Sequence, residues 1–360
     1  MPRLIEDIET LVTCESPSAD HDAVAASADV VTELGAARLG VQPDRIVLAG
    51  WTHLRWRLGS GPRRVLVLGH HDTVWPLGTL ARRPFDVTDD VLRGPGCFDM
   101  KTGVVMAFNA IASLSDVDGI TLLVTGDEEL GSPSSRELIE GEARGCAAAL
   151  VLEASADGGA FKIARKGVSL YRVSAHGRAA HAGLEPEKGV NASLELAHQL
   201  PIVAALADPE LGTTVTPTLL RAGTTTNTVP ADGEFAVDVR VRTKTEQDRV
   251  DKAIRALTPI VPGARLSIEG GPNRAPLEES ASTALFYRVQ RLAADLGLPP
   301  LTSAAVGGAS DGNFTAGIGV PTLDGIGAVG GGAHAENEHV LVGELPGRTA
   351  LLAALLRDLL

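Results

Sequence analysis

A chain of 360 residues exceeds what one hydrophobic core usually organises, so two domains are expected, each able to bury a core of its own. A formal net charge of -13, with no basic stretch interleaved with aromatics, argues against nucleic acid or an anionic membrane as the main partner, and no apolar run approaches the ~18 residues needed to span a bilayer. Three scattered cysteines, without Cys-x-x-Cys spacing, suggest neither a disulfide framework nor a thiolate metal site; with an acidic start (Glu6, Asp7, Glu9) in place of a secretory signal, they point to a cytoplasmic enzyme.

Residues 4 to 12 and 22 to 38 have the spacing of amphipathic helices, separated by the turn cluster Ser16-Pro17-Ser18. Val65-Leu66-Val67-Leu68 reads as a fully buried strand ending in Gly69-His70-His71-Asp72-Thr73. The glycine-rich stretch from Gly94 to Gly103 then delivers Asp99 to a segment in which Val104, Val105, Phe108, Ile111 and Ala112 recur at helical spacing. Two more buried strands follow: Thr121 to Thr125, ending in Gly126-Asp127-Glu128-Glu129, and Ala148 to Leu152, ending in Glu153. Such strands alternating with helices predict a mostly parallel sheet, where ligands gather at the carboxyl ends of the strands.

From about residue 166 the texture changes. Leu170 to Val173 and Phe235 to Val241 alternate strictly, as antiparallel strands with one wet face do, and Val190 to Ala205 and Val250 to Leu257 read as helices. This α+β insert is expected to end near Gly270-Gly271-Pro272, after which Leu285, Phe286, Val289, Leu292, Ala293 and Leu296 restore a helical stripe. Residues 307 to 332 are glycine-rich loops, and a Leu-rich helix closes the chain from about 346.

In an extended segment residues i and i+2 share a face, so His70 and Asp72 can touch one object while His71 points away. That suits a metal-bound imidazole and its orienting carboxylate, although a histidine near a strand end is more often simply hydrogen-bonded. Glu128 and Glu129 crowd two carboxylates at one strand end, unfavourable unless a cation or proton is held there; the plainer reading is a solvated acidic loop. A two-metal hydrolase needs one such carboxylate as ligand and another as base. Glu153 follows apolar or small residues, and a buried acid there calls for a metal or a salt bridge. Gly330-Gly331-Gly332-Ala333-His334 either lets the backbone approach a site or is a surface loop containing histidine; Glu338 and His339 are assigned to a surface loop.

Two other motifs lack their context. Gly308-Ala309-Ser310-Asp311-Gly312 matches a nucleophile elbow, but Ser303 to Gly307 before it is a poor strand and the downstream spacing is too short. Gly325 to Gly330 matches Gly-x-Gly-x-x-Gly, yet glycine and histidine follow where a dinucleotide site needs a helix.

Taken together, Gly69-His70-His71-Asp72-Thr73-Val74, the Gly-Pro-Gly-x-x-Asp-Met-Lys-x-Gly loop, Asp127-Glu128-Glu129-x-Gly-Ser, Glu153 and Ala333-His334 resemble the M20 metallopeptidase family in order and spacing, over nearly the whole chain. The resemblance is strongest to its glutamate carboxypeptidase (carboxypeptidase G2-like) branch. It implies an α/β zinc-peptidase-like catalytic domain with a mostly parallel mixed sheet (residues 1–165 and 276–360), interrupted by a ferredoxin-like α+β dimerisation or lid domain (166–275). It also implies a two-zinc site: Asp99 bridges, His70 and Glu153 complete one ion, and Glu129 and His334 the other, with Asp72 orienting His70 and Glu128 as general base to a bridging hydroxide. Cobalt or manganese would suit the same nitrogen and oxygen donors. The Asp99-Met100 peptide is implied to be cis.

In the insert, the resemblance matches His181 to a histidine that helps bind the scissile carbonyl, typically in the partner subunit's site. Asn227, Arg240 and Arg274 match residues used on substrate carboxylates, and Gly308 and Ser310 lie in the loop lining that pocket. Arg274 could equally face solvent, and Arg240 could sit in a surface ion pair worth ~1 kcal/mol or less. Ala154 stands where related sequences often have proline, and glutamate at 153 is more typical of carboxypeptidases and deacylases than of aminopeptidases. The expected activity is therefore release of a C-terminal amino acid, possibly glutamate, from an N-acylated, peptidyl or folate-like substrate with a free carboxylate, by a homodimer joined through the lid. An N-acyl-amino-acid deacylase or dipeptidase is the alternative, and a non-catalytic metal-dependent binding protein a remote one.

Overall fold

A computed structural model describes residues 1–360, which fall into two compact units: Met1–Ala164, Glu278–Val306 and Ser310–Leu360 in the first, Arg165–Leu277 with Gly307–Ala309 in the second. The first unit is built on a six-stranded mixed sheet in the order Asp44–Leu48, Trp51–Arg57, Ile120–Thr125, Val65–His70, Ala148–Val151, Thr322–Leu323. The last four run parallel, and the first two add an antiparallel edge.

The unbroken apolar runs have a simple cause. Along Val65–His70 every residue is buried; Val65 and Val67 join one cluster with the helices Thr102–Ala112, Glu279–Asp295 and Leu345–Leu359, while Leu66 and Leu68 join another with Ile139 and Phe314. Alternate side chains leave opposite faces of a strand, and both faces here are covered. Ser303–Val306, read from sequence as a poor strand, does pair, but only with Phe161–Arg165 in a two-stranded ribbon. A further small sheet, ordered Gly330–Gly331, His339–Leu341, Val91–Arg93, Asp86–Thr88, ties the His334 loop to the strand leading into the Gly94 loop.

The helix Thr102–Ala112 is buried at nine of its 11 positions, so it is apolar nearly all round. Gly103 lets its first turn sit against the strand that ends at Glu153: a Cβ there would lie 2.3 Å from the Leu152 carbonyl oxygen. Gly103→Ala should therefore lower stability by about 1–3 kcal/mol in denaturant unfolding. An unchanged midpoint would show that the contact yields without cost.

The second unit has an antiparallel sheet in the order Thr214–Ala222, Asp232–Val241, Gly167–His176, Arg265–Arg274, with the helices Ala192–Ala204 and Lys244–Arg255. Tyr171, Val173 and Ala175 alternate into one core with Phe235, Val237, Val239, Leu196, Val250 and Ile254, whereas Leu170 is exposed. Gly270, Gly271 and Pro272 lie inside the strand Arg265–Arg274, not at a boundary; its register slips between Pro272 and Arg274.

Candidate metal centre

His70 ends its strand with Nδ1 3.0 Å from the Asp72 carbonyl oxygen and 3.4 Å from Asp72 Oδ1. Its Nε2 is then aimed onward, 3.4 Å from Asp99 Oδ1 and 3.7 Å from Glu153 Oε1. Asp72, fully buried, also accepts from the Ser18 hydroxyl at 2.6 Å and from the backbone N–H groups of Glu128 and Glu129, each at 3.2 Å. It thus holds both the imidazole and the acidic turn.

Asp99 sits in the tight turn Cys97–Lys101 that opens the buried helix, and the Asp99-Met100 peptide is cis. Gly96 permits that turn, since it adopts φ +72° and a Cβ there would lie 2.4 Å from Thr73 Cγ2. While Oδ1 of Asp99 faces His70, Oδ2 lies 3.3 Å from His334 Nε2, which is in turn 3.0 Å from Glu129 Oε1. His334 itself is left-handed at φ +59°, a non-glycine backbone strain of the kind that clusters at functional sites.

These donors fit divalent ions. Two atoms bound to one tetrahedral ion at about 2.0–2.1 Å lie about 3.3 Å apart. The donor pairs here are spaced from 3.0 to 3.7 Å. His70 Nε2 and Asp99 Oδ1 are both buried without a hydrogen-bond partner, which is costly unless a cation satisfies them. The electrostatics agree. Burial opposes the charged form of Asp99, yet His334 and His70 hold its carboxyl well below the usual range. Hydrogen bonds to Asp99 and Glu129 push His334 up to about 10. Burial pulls against the charge of His70 too, but Asp72 and Asp99 carry it well above its ordinary value. Burial raises Glu129 despite His334. In the absence of ions, the imidazoles and carboxylates of this cluster thus favour opposite charges on one another.

Glu128 is buried, and its carboxylate groups with donor atoms of His70 and Glu153 within 4.8 Å. Glu153 also lies 3.9 Å from Lys162 Nζ through Oε2. Ser310 is fully buried in the first unit, and its hydroxyl donates to Asp324 Oδ2 at 2.6 Å. A carboxylate, not an imidazole, receives that proton, so the serine-nucleophile motif has no activated hydroxyl and the side chain is committed internally.

In the second unit, His181 is exposed and its Nδ1 accepts from the backbone N–H groups of Gly183 and Leu184 at 3.1 and 3.2 Å. The neutral ring therefore carries its proton on Nε2. Asn227 is exposed and its backbone carbonyl accepts from the Ala182 N–H. Arg240 is held in a two-pronged ion pair with Asp238, two residues away on the same strand face, at 2.8 and 2.9 Å. Arg274 is buried, which overturns the solvent-facing alternative, and the Gly308 carbonyl accepts from Arg165 Nη1 at 3.2 Å.

Sequence reasoning missed Glu338. Far from lying in a surface loop, it is fully buried and accepts four hydrogen bonds, from Trp75 Nε1 (2.7 Å) and the backbone N–H groups of Gly96 (2.9 Å), Phe98 (3.0 Å) and Asp99 (3.1 Å). Its i+2 relation to buried Val340 was the available hint.

The sequence matches the family model described as peptidase family M20/M25/M40 over residues 66–358. Carboxypeptidase G2 of Pseudomonas sp. (strain RS-16) is 28% identical over 298 residues, 78% of this chain and 70% of that protein. A succinyl-diaminopimelate desuccinylase of Methylorubrum populi is 28% identical over 294 residues, 75% of each. Among solved structures, the Bacillus subtilis YXEP protein, described as a dinuclear metal binding peptidase from the M20 family, shares the fold with a TM-score of 0.65 at 14% identity, over 99% of this chain and 98% of that one. Because the family match runs from Leu66 to Asp358 and takes in every donor assembled above, the chain belongs to peptidase family M20/M25/M40.

Proposed function

We propose that this M20 metal-dependent amide hydrolase is a carboxypeptidase releasing a C-terminal amino acid, glutamate among the candidates, from an N-acylated, peptidyl or folate-like substrate. The observation that carries the reading is Asp99, whose two oxygens are shared between His70 and His334. His70, Asp99 and Glu153 would hold one ion, and Asp99, Glu129 and His334 the other. Zinc suits these donors, as do cobalt and manganese. Such ions, when bound, polarise a scissile carbonyl and make water acidic enough to attack at neutral pH. Glu128 takes the proton from the attacking water and returns it to the leaving amine nitrogen. Asp72 keeps His70 and the Glu128 turn in place. His181 offers an Nε2–H donor of the kind that stabilises a developing oxyanion.

Glutamate at 153 and the likeness to carboxypeptidase G2 support cleavage beside a free carboxylate. Converting the terminal carboxylate of an N-acyl-glutamate to a carboxamide should lower kcat/KM at least ~100-fold, because a site built for a charged acceptor rejects its neutral analogue. Equal turnover of both would overturn the carboxypeptidase assignment. The deacylase reading is favoured by one observation, the equal identity to a desuccinylase, and faster hydrolysis of N-succinyl amines in the same panel would select it.

The second unit is further proposed to join two copies of the chain. Its edge strand Thr214–Ala222 has one ladder neighbour and exposes Leu219 and Leu220, a surface that natural proteins usually cover. Sedimentation at micromolar concentration should give twice the 37.3 kDa chain mass, and a monomer would sink the proposal. Three free cysteines support a reducing, cytoplasmic setting, and no helix is long and apolar enough to cross a membrane.

A further inference from the structure

We infer that Glu338 is a positioning residue that sets the bridging carboxylate of Asp99 through its backbone, and thereby governs both ion positions together; the inference rests on the two-metal reading above. The turn before the buried helix points three backbone N–H groups, those of Gly96, Phe98 and Asp99, into one concavity. Converging amides of this kind form an anion-binding nest, and here the occupant is the protein's own carboxylate. Each Glu338 oxygen takes two donors: Oε1 those of Phe98 and Asp99, Oε2 those of Gly96 and the Trp75 indole. A fully buried carboxylate is costly unless it is so satisfied, and a loop needing only a turn would not require one.

Its place in the chain explains why the effect reaches both ions. Glu338 lies in the loop that presents His334, between the paired strands Gly330–Gly331 and His339–Leu341, and the latter pairs with Val91–Arg93 just before the Asp99 turn. Trp75 follows the segment carrying His70 and Asp72. Three donor-bearing segments therefore meet at one carboxylate, much as Asp72 secures the Glu128-Glu129 turn through its amides. Because the Asp99 N–H is itself gripped, a shift of Glu338 moves the Asp99 Cα and both of its oxygens, and a shared ligand tolerates only about 0.5 Å of error.

Glu338→Gln keeps the size but replaces one acceptor oxygen with an NH2 that faces N–H donors. In the metal-free protein, amide exchange should rise at least ~10-fold on the side that meets the NH2, either at Phe98 and Asp99 or at Gly96, because that side loses its acceptor. Titration with Zn2+ against a chelating competitor should show both ions held roughly 10- to 100-fold more weakly. Unchanged exchange together with unchanged affinities would overturn the proposal. So would a loss confined to the ion shared by Glu129 and His334, since Glu338 would then act only through its own loop. Should Glu338→Gln fail to fold, Glu338→Asp, one methylene shorter and still charged, gives the same two readouts. Failure of the unmodified chain to bind two ions would sink the two-metal reading, while the exchange comparison, made without metal, still decides whether Glu338 holds the Asp99 turn.

Discussion

Glu128→Gln should lower kcat by about 10²- to 10⁴-fold, the usual worth of a positioned general base, while the protein still binds two divalent ions per chain. The substitution is nearly isosteric, and the backbone of residue 128 stays held because its N–H donates to Asp72 rather than to its own side chain. Glu129, the proposed ligand beside it, keeps its own bond to Asp72 and its contact with His334. What disappears is the carboxylate's charge and its capacity to accept and return a proton, so the loss should fall on kcat and kcat/KM alike with little change in KM. Metal analysis of the purified variant beside steady-state kinetics makes the check. Unchanged turnover would remove Glu128 from the mechanism, and loss of an ion would recast it as a ligand.

Asp99→Ala should empty both ion positions together, with activity falling to background. The two histidines face different oxygens of this one side chain, at 3.4 Å from His70 and 3.3 Å from His334. Removing it leaves one candidate ion with His70 and Glu153 and the other with Glu129 and His334, two protein donors each where catalytic zinc ordinarily has at least three. By contrast, His334→Ala should mainly weaken the ion shared with Glu129, and His70→Ala the ion shared with Glu153. Elemental analysis after equilibrium dialysis distinguishes these cases. One tightly held ion remaining in Asp99→Ala would mean that the carboxylate does not bridge.

The parallel strands were legible because burial on both faces leaves an unbroken apolar run, and the residues at their carboxyl ends stand out against it. His70 and Glu153 each close such a run. The antiparallel edge Asp44–Leu48 was not legible, since its residues are exposed or half-buried and its charged residues resemble a loop. For Arg240 the ion pair weighed beside a substrate-carboxylate role is present in the structure, with Asp238 two residues away, where strand geometry puts it on the same face.

From the sequence alone follow the strand and helix periods, the separate texture of the second unit and the types of donor at each strand end, because those depend on local pattern and chemistry. Local pattern does not say which donors converge: the family resemblance implied it, and the tertiary structure decided it by bringing distant segments together so that Asp99 lies between His70 and His334. It also decided that Glu338, one acid in a polar stretch, is buried in a nest of amides, because no local pattern says which distant N–H groups will need an acceptor.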